Sequence, residues 1–130
     1  MAYEVPSFKI SLEAAADLSA HQYKYVKIDA NGRAAAIAAA TDLPIGVLQN
    51  KPAALGQVAE IMVDGITKLQ ADAALAPAAI VGTSADGQAD AKTPGTDTTE
   101  VSNGLVIEGA AAAGNYATVL IHCGISNRSA

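Results

Sequence analysis

The sequence predicts a mainly β fold: a compact β-sandwich or partly open β-barrel built from two similar halves, with at most one short helix and an extended N-terminal arm. Three observations carry this expectation. Glycine follows Asn or Asp at Asn31-Gly32, Asp64-Gly65, Asp86-Gly87 and Asn103-Gly104, pairs that suit the positive φ of tight hairpin turns. Short runs rich in branched and aromatic residues lie between these pairs, of a length that suits strands better than helices. Finally, the stretch GVLQNKPAALGQVAEIMVDG from Gly46 to Gly65 returns in altered form as GLVIEGAAAAGNYATVLIHCG from Gly104 to Gly124.

The elements follow in order. Phe8, Ile10 and Leu12 alternate with Lys9 and Ser11, and Pro6 sets an extended approach to them. Residues 1–12 are therefore either an arm that adds a strand to a neighbour's sheet edge or the first strand of this domain's own sheet. Residues 13–130 form the core of a single domain, 1–130, of a size that buries roughly two thirds of its unfolded surface. Ser11 is able to cap a helix of a turn or two through Leu18. Gln22 to Asp29 reads as a strand, and the Asn31-Gly32 turn makes Arg33 to Ala38 its hairpin partner in spite of the alanine run that continues to Ala40.

Ile45 to Leu48, Gln57 to Asp64 and Ile66 to Leu69 read as three further strands. In Gln57 to Asp64, Ala59, Ile61 and Val63 share one face, while Val58 and Met62 share the other with Glu60 and Asp64. A face so divided is half-solvated, as against a neighbouring subunit or a covering loop. Thr83 to Ser102, rich in Gly, Pro, Asp, Thr and Ser, reads as exposed loop around a weak strand at Gln88 to Lys92. Leu105 to Glu108 and Tyr116 to His122 close the series.

The two glycine-framed stretches align Gly46 with Gly104 and Gly56 with Gly114, and set Gly65 near Gly124. The Asn-Gly and Asp-Gly hairpin signals, Asn31-Gly32 and Asp86-Gly87, stand before the respective copies. Two repeats are too few for a solenoid, so they suit matching walls of one structure, with Ala59, Ile61 and Val63 corresponding to Ala117, Val119 and Ile121. These six are expected to line one core. The same alignment sends Glu60 to Thr118 and Asp64 to His122, outward, and Cys123 inward.

Composition excludes several functions. The net charge is −5 and the eight Lys and Arg are scattered singly, so no basic stripe addresses phosphates and no nucleic-acid partner is expected. MAYEVPSF lacks the charged and apolar regions of a secretory signal, and no apolar run reaches the length of a membrane span. The lone Cys123 forms no internal disulfide and reads as a small buried hydrophobe. Alanine occupies almost one position in four, and small side chains let backbones approach closely.

Chemistry is sparse. His21 and His122 have no second ligand at metal-site spacing, no Gly-x-Ser-x-Gly elbow occurs, and Gly104 to Gly114 lacks a P-loop ending. The carboxylates Glu60, Asp64, Glu100 and Glu108 read as solvated charges rather than a glycosidase pair. No enzyme, cofactor or metal is expected.

The chain resembles the capsid decoration, or cement, proteins of tailed bacteriophages. The resemblance rests on Phe8 to Leu12, Ala16-Asp17-Leu18-Ser19, Tyr23, Val26 to Asp29, Pro44-Ile45-Gly46-Val47-Leu48-Gln49-Asn50, Gly56-Gln57, Asp64 to Lys68, and Gly104 to Glu108 with Val119-Leu120. It covers nearly the whole chain, and Pro44 to Asn50 is its most specific piece. It implies a structural virion protein, made in the host cytoplasm, that oligomerises as a homotrimer. It also implies a place on the outer capsid surface at capsomer junctions, against the major capsid protein. The candidate contact residues are Val5, Pro6, Phe8, Ile10, Leu12, Val58 and Met62. The alternative is a small β-barrel binding module for a carbohydrate or host surface, using the 83–102 loop and Tyr3, Tyr23, Tyr25 and Tyr116 as stacking platforms.

Overall fold

The computed structural model describes residues 2–123. Among them, antiparallel strands join in one sheet that curls into a half-barrel, and no helix occurs. In chain order the strands are β1 (Val5–Glu13), β2 (Tyr25–Ile28), β3 (Ala34–Ala36), β4 (Gly46–Leu48) and β5 (Val58–Gln70). They continue with β6 (Ile80–Thr83), β7 (Ala89–Ala91), β8 (Gly104–Glu108) and β9 (Tyr116–His122).

The strand order β3-β2-β4-β5-β9-β8-β6-β7 is a palindrome of two units. Register repeats with it: Val26↔Ala36 returns as Val81↔Ala91, Val26↔Gly46 as Val81↔Gly104, and Leu48↔Ile61 as Val106↔Val119. The loops repeat too. The bridge Ala14–Ala34 has its counterpart in Ala71–Ala89. The Leu18 N–H donates to Pro52 O as Leu75 N–H does to Ala110 O, and Tyr23 N–H donates to Leu48 O as Ala78 N–H does to Val106 O. Tyr23 and Ala78, equivalent in this scheme, both take positive φ, 61° and 70°, a region that non-glycine residues rarely enter.

Strand β5 belongs to both units. Its first half ends unit one, held between β1 and β4, and its second half opens unit two, paired with β9. β1 is therefore to unit one what the end of β5 is to unit two, with Leu12↔Ala59 matching Leu69↔Ala117.

The turn expected at Asp64-Gly65 does not form, because β5 runs straight through it. Gly65 is glycine for another reason: β1 bulges between Pro6 and Phe8 opposite it, and a Cβ there would lie 2.6 Å from Val5 O. Nor is Asn103-Gly104 a turn, since Gly104 starts β8 directly. The hairpins at Asn31-Gly32 and Asp86-Gly87 do form, with positive φ at both glycines. The short helix from Ser11 is also absent: β1 absorbs Ser11 and runs to Glu13.

In the stretch from Thr83 to Ser102 the weak strand expected at Gln88 to Lys92 forms as β7, and most of the loop after it is exposed, but Lys92 is buried. The Lys92 ammonium donates at 2.6 Å to Glu100 and 3.1 Å to Asp90, so a charged side chain is accommodated under the β6 backbone by two carboxylates.

The interior consists of two clusters rather than one. Leu18, Val26, Leu48, Ala59 and Ile61 fill the first. Their counterparts Leu75, Val81, Val106, Ala117 and Val119 fill the second, which also takes in Tyr25, Val47 and Met62 from the reverse face of unit one. Of the six residues expected to share a core, Ala59 and Ile61 lie in the first cluster and Val63, Ala117, Val119 and Ile121 in the second. Gly124 lies outside the described residues.

Candidate functional site

Strand β1 carries most of the residues expected to make contacts. Among the described residues it pairs with β5 and with no other strand, so the sheet ends on its outer edge. An edge of this kind offers unpaired backbone groups to another chain. Val5 and Phe8 are exposed large apolar residues, and Pro6 is exposed between them. Pro6 lacks an N–H, and it sits at the bulge, where the ladder with β5 is already broken.

The remaining expected contacts divide. Val58 is exposed, opposite Glu13 at the far end of β1. Ile10 and Leu12 are half-buried and pack on the first core cluster. Met62 was expected on a half-solvated face and is instead fully buried. It pairs with Val47 and joins the second cluster, because unit two covers this part of the face. Thr118, expected outward, is likewise buried, and Tyr3 N–H donates to its hydroxyl at 3.3 Å.

Cross-strand register reveals two rows that alternation within a strand does not show. In unit one, Lys9, Met62, Val47 and Tyr25 lie side by side across β1, β5, β4 and β2. In unit two the equivalent row is Ile66, Leu120, Leu105 and Ile80, across β5, β9, β8 and β6. The first row is buried from Met62 to Tyr25, whereas Leu120, Leu105 and Ile80 are 44 %, 42 % and 40 % exposed. A cleft of about 260 Å³ opens over them, also bounded by Asn103, Gly104 and His122. A second cleft of about 390 Å³, in unit one, is lined by Lys27, Ile28, Asp42, Leu43, Pro44 and Ile45. There Ile28 is 48 % and Leu43 47 % exposed, beside a 3.0 Å ion pair between Lys27 and Asp42. Sequence reasoning missed both, since they come from β2, β4, β6 and β8 together.

Apart from the Lys27–Asp42 ion pair, titratable groups do not converge in either cleft among the described residues. Burial pushes the Cys123 thiol up to about 12, which leaves it protonated and unreactive. The Tyr25 hydroxyl is held well above its ordinary value by burial. His21 is lowered by burial and by Lys24. His122 Nδ1 lies 3.5 Å from the Asp64 carboxylate on the exposed sheet face. Among the described residues no group of three or more His, Cys, Asp and Glu is placed to hold a metal ion.

The tyrosines behave differently from expectation. Tyr25 is buried, while Tyr23 and Tyr116 meet edge to face with centroids 5.7 Å apart. Lys68 Nζ sits 5.4 Å from the Tyr23 centroid and Glu4 accepts from the Tyr23 hydroxyl at 3.4 Å. The pair lies outside both clefts.

No family model and no curated relative matches this chain. Its fold is similar to that of a solved structure described as the head fiber gp8.5 N base in bacteriophage phi29, with a TM-score of 0.60 and 16% sequence identity. The alignment covers 92% of this chain and 98% of that one. At that identity the likeness concerns the fold.

Proposed function

We propose that this one-domain chain is a structural virion protein. It binds the outer face of an assembled phage head at capsomer junctions, as a trimer against the major capsid protein, and holds the shell together without catalysis. The observation that supports this most is the likeness to a phage head fiber base over almost the full length of both chains. It comes from the fold, independently of the sequence resemblance to capsid decoration proteins.

The physical basis is differential binding. A protein that attaches to the expanded head and not to free capsid subunits shifts the balance toward the assembled shell by mass action. Several copies of one weak patch on a symmetric junction raise the effective concentration after the first contact. The capsid-facing element in this reading is the β1 edge with Val5, Pro6 and Phe8, able to add to a strand of the capsid protein.

The experiment is co-sedimentation with expanded heads of the phage that encodes the chain, using wild type and a Val5→Asp/Phe8→Asp variant. The expected result is saturable binding of wild type and loss of binding by the variant at unchanged circular dichroism. Heads that never retain the wild-type chain would sink the proposal. The Tyr23–Tyr116 pair favours the second reading, a carbohydrate-binding module. A glycan array that responds to wild type and not to Tyr116→Ala would select it.

A further inference from the structure

We propose that copies of this chain associate head to tail, the row Ile66–Leu120–Leu105–Ile80 of one copy seating on the Ile28–Leu43–Ile45 cleft of the next. The template for this contact is inside the molecule.

Unit one already docks on unit two through its own version of the row. Tyr25, Val47 and Met62 are buried in a cluster with Val81, Val106, Val119 and Ile121. Two hydrogen bonds fix the alignment: Tyr25 N–H donates to Gly87 O at 2.7 Å, and the Tyr25 hydroxyl donates to Asn103 Oδ1 at 2.7 Å. The row of one unit thus covers the hairpin tip and the inner face of the following one.

Among the described residues, unit two presents the equivalent row exposed at Ile80, Leu105 and Leu120. Ile80 stands where Tyr25 stands in unit one, Leu105 where Val47 stands, and Leu120 where Met62 stands. Among the described residues, the inner face of unit one is likewise exposed at Ile28 and Leu43. Ile28 is the counterpart of Thr83, which is fully buried, and Ile45, just before Gly46, is the counterpart of Asn103, just before Gly104. The hairpin tips show the same asymmetry. A Cβ on Gly87 would lie 2.8 Å from Tyr25 O, whereas a Cβ on Gly32 would meet nothing within 4 Å.

Each exposed surface is therefore the unmatched half of an interface the chain makes once internally. Terminal units of a stacked repeat ordinarily carry polar outer faces, and here Ile28 and Leu43 on unit one and Ile80, Leu105 and Leu120 on unit two are exposed aliphatic side chains. A second copy supplies the missing half at either end. The contact is heterologous, joining two different patches, and closes into a ring when the rotation per copy permits. It deepens the oligomer part of the proposed function, and it is tested on the pure chain without phage heads, so failure of head binding leaves it standing.

The test uses Leu105→Asp, which charges the tail face, and Ile28→Asp, which charges the head face, with sedimentation to read mass. Both positions are solvent-facing, and circular dichroism checks that each variant keeps the β spectrum. Wild type is expected to form a multimer and each variant alone a monomer. Mixed in equal amounts, the two variants retain one intact head and one intact tail, and the expected product is a species of twice the chain mass and no larger. A mixture of folded variants that stays monomeric, a wild type that stays monomeric at its highest soluble concentration, or a single variant that still dimerises would overturn the proposal.

Discussion

The Tyr25 hydroxyl donates a 2.7 Å hydrogen bond to Asn103 Oδ1, joining the first strand of one unit's hairpin to the residue just before β8 in the other. Both residues are buried. The tie is as much steric as polar, because a Cβ on the adjacent Gly104 would lie 3.3 Å from the same hydroxyl.

Tyr25→Phe is therefore expected to weaken the joint between units rather than either unit alone. Asn103 Nδ2 already finds no partner among the described residues, so loss of the hydroxyl leaves the whole buried amide unpaired. The cost is about 1–3 kcal/mol for a buried polar group stripped of its partner. Urea denaturation is expected to show a lower midpoint at unchanged slope. An unchanged midpoint would show that the bond contributes nothing net.

The two hairpin glycines provide a matched pair. Gly32 and Gly87 both have positive φ, 75° and 88°, so alanine at either costs about 1–2 kcal/mol in the left-handed region. Only Gly87 also presses on Tyr25 O. Gly87→Ala is expected to cost about 1–3 kcal/mol more, the range for overpacking. Equal losses in thermal melts of the two variants would mean that the hairpin tip yields freely.

Turn chemistry and period-two alternation made the β class, both hairpins and the duplication legible in the sequence. Local patterns stopped being informative where tertiary contacts decided. Asp64-Gly65 has the composition of a turn, yet its glycine answers a close approach by β1. Met62 shares a face with Glu60 and Val58, but whether that face meets water depends on unit two, which lies far along the chain. β6 escaped notice because Gly82 sits inside it, where a Cβ would strike Val101 O at 2.0 Å. The candidate β1 edge was readable from Pro6 and the Phe8–Ile10–Leu12 alternation, whereas the two clefts needed register across four strands.

Leu18 and Leu75 occupy equivalent loops and close separate clusters. Each is almost fully buried, so Leu18→Ala and Leu75→Ala are each expected to cost about 2–5 kcal/mol, transfer loss plus cavity. Because the two leucines belong to different clusters, the double variant is expected to match the sum within about 0.5 kcal/mol. A large deviation measured by equilibrium unfolding would mean that the two units share one core after all.

Alkaline pH is expected to destabilise the chain progressively, beginning with the contribution of Cys123. Burial raises its thiol from an ordinary 9.0 to about 12, and burial also raises the Tyr25 hydroxyl above 10.0. For Lys92, burial alone would lower the ammonium, but hydrogen bonds to Glu100 and Asp90 outweigh it and the net shift from 10.5 is upward. All three bind a proton more tightly folded than unfolded. Their stabilisation is complete below the unfolded values and is lost as pH rises through the folded ones. Midpoints of urea unfolding are therefore expected to stay level from neutral pH to about 9 with respect to these groups, then to fall. Cys123→Ala removes the first contribution, so the fall in that variant is expected to begin nearer the tyrosine range. An unchanged onset would place the alkaline sensitivity elsewhere than at the thiol.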